Sequence, residues 1–168
     1  MKIKKLSEYF NNLESNIKEG LNSPIDVSWV KSTDLWTGSF NIDSLPYEIT
    51  IEKLSENQNV FLFKFSVNDS YEMLNDVKKA FSTIPTIENS VNVFMSEVKP
   101  ESLVFFALDE SETRKRFYTN FCIRYTKENS EYKYKEFTLV NYHFYAIYNE
   151  KLDDNEFNKS INKIILKG

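Results

Sequence analysis

The chain has 168 residues, of which 41% are hydrophobic and 15% aromatic, and its formal net charge is −4. This much apolar surface excludes a disordered chain, and the length fits a single domain with a substantial core. The acidic balance opposes nonspecific attraction to nucleic acids and to anionic membranes, so we expect neither as a partner.

Two residue types that often carry chemistry occur once each. Cys122 and His143 can form neither an intramolecular disulfide nor a Cys/His zinc site. The basic N-terminus is not followed by the apolar stretch of a signal peptide, and no window approaches the roughly 18 apolar residues of a membrane span. We therefore expect a cytoplasmic protein that uses no cofactor and no metal ion.

The first half of the chain predicts one helix followed by four strands. Apolar residues recur at spacings of three and four from Lys4 to Leu21, the period of an amphipathic helix that Gly20 and Pro24 end. Alternating apolar and polar residues then predict half-buried strands, which short polar links join into an antiparallel meander. These strands centre on Ile25–Trp29, Trp36–Ile42, Tyr47–Ile51 and Val60–Val67.

The second half alternates helices and strands. An apolar stripe predicts a helix from Ile87 to Val98, with Pro85 near its start and Pro100 beyond its end, whereas residues 69–83 fit either a short helix or a loop. An uninterrupted apolar run predicts a strand near the middle of the sheet, covered on both faces. The predicted elements are this strand at Leu103–Leu108, a helix at Asp109–Lys127, two hairpin strands at Tyr132–Val140 and Tyr142–Tyr148, and a closing helix from Asp153 onward.

The order of these elements indicates the fold class. Helices and strands are mixed along the chain, and most strands follow one another through short links. The pattern predicts an α+β fold, a single domain over residues 1–168, in which helices pack on one layer of mainly antiparallel sheet.

The three arginines of the chain lie within eleven consecutive residues, from Arg114 to Arg124. A helical wheel places Arg114 on the same face as Tyr118 and two further aromatic residues, in the first turns of its helix. This position breaks two rules, because the face is apolar and the helix dipole disfavours a cation at that end.

Two interpretations of Arg114 remain open. In the first, its guanidinium binds an anion or a partner at the start of the helix. In the second, the stem covers the core and the head pairs with Asp109, Glu110 or a carboxylate on a strand. The planar guanidinium suits either role, because it offers two parallel donors that lysine does not.

The other two arginines, Arg116 and Arg124, fall away from the main apolar face of the helix. With Lys115 and neighbouring aromatic residues they could form a basic surface for nucleic acid. The simpler interpretation is a solvated helix face, which the nearby glutamates and the acidic net charge favour.

Five tyrosines surround the predicted hairpin. They could form a partner surface or a platform for stacked bases, or they could be ordinary cross-strand pairs. The tyrosines are Tyr132, Tyr134, Tyr142, Tyr145 and Tyr148.

No serine or cysteine motif surrounds His143, so no catalytic triad is predicted, and Cys122 is expected to be buried and inert.

Asp109, Glu110 and Glu112 form the densest set of carboxylates at a predicted strand end, a set that an oxygen-ligand metal such as Mg²⁺ would accept. Asp109 and Glu112 have the spacing of a capping box at the start of the arginine helix. In an enzyme acting on a phosphorylated or nucleotide-like substrate, one of them could serve as the base while Arg114 fixes the anion. Capping explains both residues more simply, and the sequence has no glycine-rich phosphate loop.

A loose motif spans the middle of the chain. It runs Val91-x-x-Phe94, then Pro100-x-x-Leu103-x-Phe105-x-Ala107, then Glu110-x-Glu112-x-Arg114-x-x-Phe117-Tyr118. Over about Tyr47 to Tyr125 the chain resembles small, uncharacterised proteins of tailed bacteriophages. The resemblance implies a phage or prophage origin and, since accessory proteins of this kind often act by binding, an interaction role.

We therefore expect a non-enzymatic binding or interaction protein, with a protein partner or a second copy of itself. The alternatives are a small enzyme acting on a phosphorylated or nucleotide-like substrate and a nucleic-acid-binding module. The candidate binding residues are Arg114, Tyr118, Arg116, Arg124, Asp109, Glu112 and Tyr145.

Overall fold

The computed structural model of the protein describes residues 23–68, 77–108 and 112–167. The helix predicted for Lys4–Leu21 lies outside these residues. None of the described helices is both long and apolar enough to cross a membrane. In chain order the described elements are β1 (Ser28–Lys31), β2 (Leu35–Ile42), β3 (Leu45–Lys53), β4 (Val60–Val67), α1 (Val77–Val98), β5 (Ser102–Leu108), α2 (Glu112–Glu128), β6 (Lys133–Leu139), β7 (Tyr142–Tyr148) and α3 (Asp154–Lys167).

The strands form one sheet in the order β1-β2-β3-β4-β5-β7-β6. Every neighbouring pair is antiparallel except β4 and β5, which run parallel because the chain between them crosses back through α1. The predicted α+β fold with a mainly antiparallel sheet is confirmed, and so are the interior position of β5 and the hairpin of β6 and β7.

The two faces of the sheet carry separate apolar clusters, because successive side chains of a strand point to opposite faces. α1 and α2 pack on the face with the larger cluster, where Phe94 and Phe121 meet strand residues such as Phe105. α3 packs on the opposite face through Phe157 and Ile161. β5 is therefore covered on both faces, as its apolar run predicts.

Two boundaries differ from the sequence prediction. β1 begins at Ser28 rather than Ile25, because the Ile25 N–H donates to Thr86 Oγ1 of α1 at 2.9 Å and takes no place in the strand. α1 begins at Val77, so Pro85 lies inside the helix rather than near its start. The residues on either side of this proline, Ile84 and Thr86, are buried, and tertiary packing outweighs the local cost of proline there.

The parallel pair of strands is short. Its ladder starts at Val60 and Ser102 and ends where Leu62 pairs with Val104. Beyond that point β4 continues to Val67 against β3, and β5 continues to Leu108 against β7. The carboxyl halves of β4 and β5 therefore do not pair with each other, although Phe63 and Phe105 still pack together on the face of α1 and α2.

Candidate functional site

Arg114 lies in the first turn of α2 and is 5% exposed. The aromatic residues that share its helix face, Phe117, Tyr118, Phe121 and Tyr125, are also buried against the sheet. The prediction that this arginine is on the buried face is therefore confirmed. In helices a long side chain leans toward the N-terminus, so the guanidinium is carried toward the start of α2.

The guanidinium of Arg114 stacks on an aromatic ring of β4. Its Cζ lies 4.2 Å from the centre of the Phe65 ring, a cation–π contact. Phe65 belongs to the carboxyl half of β4, beyond the last pair of the β4–β5 ladder. The stacking occupies a face of the guanidinium and leaves the edges of its plane for hydrogen bonds.

One edge of this guanidinium meets no hydrogen-bond acceptor in the described part of the chain. Among the residues that the structure describes, neither Nε nor Nη2 of Arg114 has a partner, and both atoms are buried. These two nitrogens share one edge of the plane, where their N–H bonds run side by side and match the two oxygens of a carboxylate or phosphate. We call Nε and Nη2 of Arg114 the Arg114 fork.

The electrostatics around the Arg114 fork favour an anion. A buried donor without an acceptor costs about 1–3 kcal/mol, and more when the group is charged. The partial positive charge at the start of α2 adds to that of Arg114, and a bound anion would satisfy both. One turn further along, burial raises the pKa of Tyr118 to about 12, although Arg114 acts in the opposite direction. The Tyr118 hydroxyl is therefore neutral at pH 7.

Arg124 has a different environment from Arg114. It forms an ion pair with Glu88 of α1 and holds the two helices together. Burial raises the pKa of Glu88 above its usual value, and the attraction and hydrogen bond of Arg124 offset this only in part. Arg116 is exposed, in agreement with the predicted solvated face. The structure therefore does not bring the three arginines into one surface.

The two candidate carboxylates lie differently. Glu112 forms an ion pair with Lys115 at 2.7 Å, and its side chain is 69% exposed. Asp109 and Glu110 lie outside the described residues, so the predicted pairing of Arg114 with either of them stays a prediction.

Two of the five hairpin tyrosines lie in the core, and the other three are partly buried. Tyr132 and Tyr145 are buried, and their hydroxyl groups donate to the carbonyl oxygens of Pro100 at 3.1 Å and Lys115 at 3.0 Å. Burial raises the pKa of Tyr145 to about 12. The Tyr145 ring also packs on Tyr118, with ring centres 5.6 Å apart. Tyr145 thus supports the helix that carries Arg114, and the cross-strand interpretation describes it, because it is paired on both sides in the sheet. Tyr132 precedes β6 and packs on Tyr125 of α2 instead.

Sequence reasoning missed a polar network around His143. Its Nδ1 lies 2.9 Å from Thr138 Oγ1, and its Nε2 lies 3.3 Å from Glu136 Oε2. The Thr119 hydroxyl of α2 donates to the other oxygen of Glu136 at 3.2 Å. The network ties α2 to the hairpin, which is a structural role. The signal was available, because a two-residue turn at Val140–Asn141 places Thr138 opposite His143.

Cys122 is buried in α2, and burial raises the pKa of its thiol well above the usual range. The predicted burial of Cys122 is therefore confirmed. Burial also disfavours the thiolate, which is the reactive form of cysteine.

In comparisons with protein-family models, with curated proteins and with solved structures, no match to this chain was found.

Proposed function

We propose that the protein is a non-enzymatic binding protein that holds an oxyanion group, a carboxylate or a phosphate, at the Arg114 fork. The observation that carries the proposal is the pair of buried donors, Nε and Nη2, without an acceptor among the described residues. Buried polar groups are nearly always hydrogen-bonded, so two buried donors that meet no acceptor among the described residues are a specific reason to infer a ligand.

The position of the fork in the fold supports this proposal. Phe65 fixes the guanidinium face, and Tyr118 packs on Phe105 of β5 with ring centres 5.2 Å apart. The guanidinium is therefore held against a ring of β4, and Tyr118 anchors its helix on a ring of β5, beyond the last pair of the β4–β5 ladder. Donors that are fixed before binding lose less entropy when the anion arrives.

The carboxylate geometry supports binding over catalysis. Glu112, a candidate base, is largely exposed and is already paired with Lys115. A general base must reach the proton of a bound substrate, and an exposed carboxylate that is held by a lysine is poorly placed for this role. A phage or prophage origin and a cytoplasmic location, which the sequence indicates, belong to the same proposal.

The test measures the response of thermal stability to small anions. Acetate and phosphate are titrated at constant ionic strength, with chloride as the balancing ion. We expect a saturable rise in Tm for one of the two anions, because a ligand of the native state stabilises it. Arg114→Gln should abolish the response. Arg116→Gln, which neutralises an exposed arginine of the same helix, should keep it.

The competing interpretation, an internal ion pair, gives a different result. If Asp109 or Glu110 fills the fork, the wild-type protein shows no saturable response, and Asp109→Asn or Glu110→Gln creates one. That outcome overturns the proposal. A response that is equal in Arg114→Gln and in the wild-type protein also overturns it.

The natural ligand can then be sought by affinity capture from the producing cell. Tagged wild-type, Arg114→Gln and Arg116→Gln proteins are compared by mass spectrometry of the co-purified proteins and small molecules. We expect a companion that carries an accessible carboxylate or phosphate and that is lost only with Arg114→Gln.

A further inference from the structure

A groove of about 700 Å³ lies on the face of the sheet opposite Arg114. Its size falls within the range of small-ligand sites. One wall is the C-terminal half of α3, with Lys163 and Ile164, and the opposite wall is formed by the end of β3 and the loop after it, including Glu52 and Glu56. The Lys163 ammonium crosses the rim and donates to the carbonyl of Leu54 at 3.3 Å.

The floor of the groove includes the opening between the two parallel strands. Lys64 of β4 and Phe106 of β5 both line it, and both lie beyond the last residue pair of the β4–β5 ladder. In the described residues no strand lies between the carboxyl halves of β4 and β5. Their facing backbone edges thus resemble free sheet edges, which bind extended peptides through main-chain hydrogen bonds.

The apolar part of the lining is concentrated beside this opening. Phe106 and Tyr142 form an edge-to-face pair with ring centres 5.6 Å apart, and Leu54, Leu62 and Ile164 complete the apolar lining. Phe106 and Tyr142 are only partly buried, so their rings remain available to a further aromatic or aliphatic side chain.

The charges of the groove are balanced. The lining has three lysines, Lys53, Lys64 and Lys163, and three carboxylates, Asp34, Glu52 and Glu56. Lys64 pairs with Glu52 at 2.6 Å, and Lys53 lies 3.9 Å from Asp34. A polyanion such as a nucleotide would meet carboxylates as often as ammonium groups, so the lining favours a ligand of low net charge.

We propose that this groove binds a short extended peptide of low net charge that carries an aromatic side chain. The aromatic side chain packs on Phe106 and Tyr142, and the peptide backbone bonds to the separated edges of β4 and β5. This site is independent of the Arg114 fork, which lies on the other face of the sheet.

The test uses peptides of defined chemistry and NMR of the isotopically labelled protein. The first probe is Leu-Phe-Leu with an acetylated N-terminus and an amidated C-terminus. We expect saturable shifts of amide signals in β4, β5 and the C-terminal half of α3. The second probe has the same side chains and N-methylated peptide bonds, and we expect it not to bind because it lacks the N–H donors. Free phenylalanine separates an amino-acid site from a peptide site, and we expect no binding.

Variants locate the site. Phe106→Ala should weaken binding of the first peptide about tenfold through loss of the aromatic contact. Val30→Ala shortens an exposed apolar side chain of β1, outside the lining, and should leave the affinity unchanged. Arg114→Gln should also leave it unchanged, so failure of the anion proposal and failure of this one can be distinguished.

Three results would overturn the peptide proposal. They are the absence of saturable shifts with Leu-Phe-Leu, equal binding of the N-methylated peptide, and shifts that map away from the groove. These tests use the unmodified protein, so they stand even if Phe106→Ala fails to fold.

Discussion

The guanidinium carbon of Arg114 lies 4.2 Å from the centre of the Phe65 ring. Both side chains are buried, with 5% and 2% of their surface exposed. A cation–π contact is worth about 0.5–1 kcal/mol when exposed and about 2 kcal/mol when water is excluded. Phe65 therefore stabilises the buried cation through its face, while the donor edge meets no acceptor among the residues that the structure describes.

We expect a double-mutant cycle of Phe65→Leu and Arg114→Met to give a coupling energy of about 2 kcal/mol. Leucine keeps much of the apolar volume without the ring, and methionine keeps the apolar stem without the charge. Urea unfolding of the four proteins measures the coupling.

The matched cycle pairs Phe65→Leu with Arg116→Met, which replaces an exposed arginine of the same helix. These two changes should be additive within about 0.5 kcal/mol. A coupling no larger than this for Phe65 and Arg114 would contradict the expected contact.

The buried position of Arg114 could be predicted from the sequence, because a helical period of 3.6 fixes which residues share a face. Its contact with Phe65 could not. Which strand lies beneath a helix depends on the order of strands in the sheet, and local patterns carry no information about that order. The pairing of Arg124 with Glu88, on two different helices, was unpredictable for the same reason.

The elements themselves were largely available from the sequence. Alternation identified the strands from Trp36 to Val67, and the apolar run at Leu103–Leu108 identified a strand covered on both faces. The parallel pairing of β4 with β5, and hence the point where it ends at Leu62 and Val104, depends on long-range topology. Pro85 misled the prediction, because burial of its neighbours holds the helix through a residue that usually begins or ends one.

Gly38 is required by close packing at the edge of the sheet. A Cβ at this position would lie 2.6 Å from Val27 Cγ1 and 2.8 Å from a ring carbon of Trp29. Trp29 is the strand partner of Gly38, so its ring covers the glycine directly. We expect Gly38→Ala to lower the free energy of unfolding by roughly 1–3 kcal/mol, the usual cost of overpacking, as measured by urea unfolding.

Two variants check this cause. Ser39→Ala alters the next residue, which is exposed on the other face, and should change stability by no more than about 0.5 kcal/mol. Val27→Ala in the Gly38→Ala protein removes the closest clash and should recover part of the loss. If Gly38→Ala proved as stable as Ser39→Ala, the packing argument would fail.

Val140 holds a left-handed backbone conformation in the turn between β6 and β7, with φ of 57°. A branched Cβ makes this region costly, and Val140 is 69% exposed, so packing returns little. We expect Val140→Gly to raise the free energy of unfolding by about 1 kcal/mol, because glycine adopts positive φ without a steric penalty.

The same substitution elsewhere should have the opposite sign. Val30 is 77% exposed in β1, and its φ is not positive. Val30→Gly should therefore destabilise the protein by about 0.5–1 kcal/mol, through the larger entropy of the unfolded chain. Thermal unfolding of both variants measures the contrast, and a loss of stability in both would contradict the expected strain at Val140.

The ion pair of Glu88 and Arg124 should make stability depend on pH in a direction unusual for a paired carboxylate. Burial raises the pKa of Glu88, and Arg124 lowers it by less. A carboxyl whose folded pKa exceeds its unfolded value stabilises the protein fully below the unfolded pKa, and this stability is lost as pH rises through the folded pKa. From about pH 4 upward, we therefore expect the wild-type protein to lose stability relative to Glu88→Gln, whose side chain stays neutral. Urea unfolding at several pH values measures the difference.

In Arg124→Gln the opposing attraction is gone, so the loss of stability with rising pH should become larger. Parallel curves for wild type and Glu88→Gln, or a smaller loss in Arg124→Gln, would show instead that the attraction of Arg124 outweighs burial.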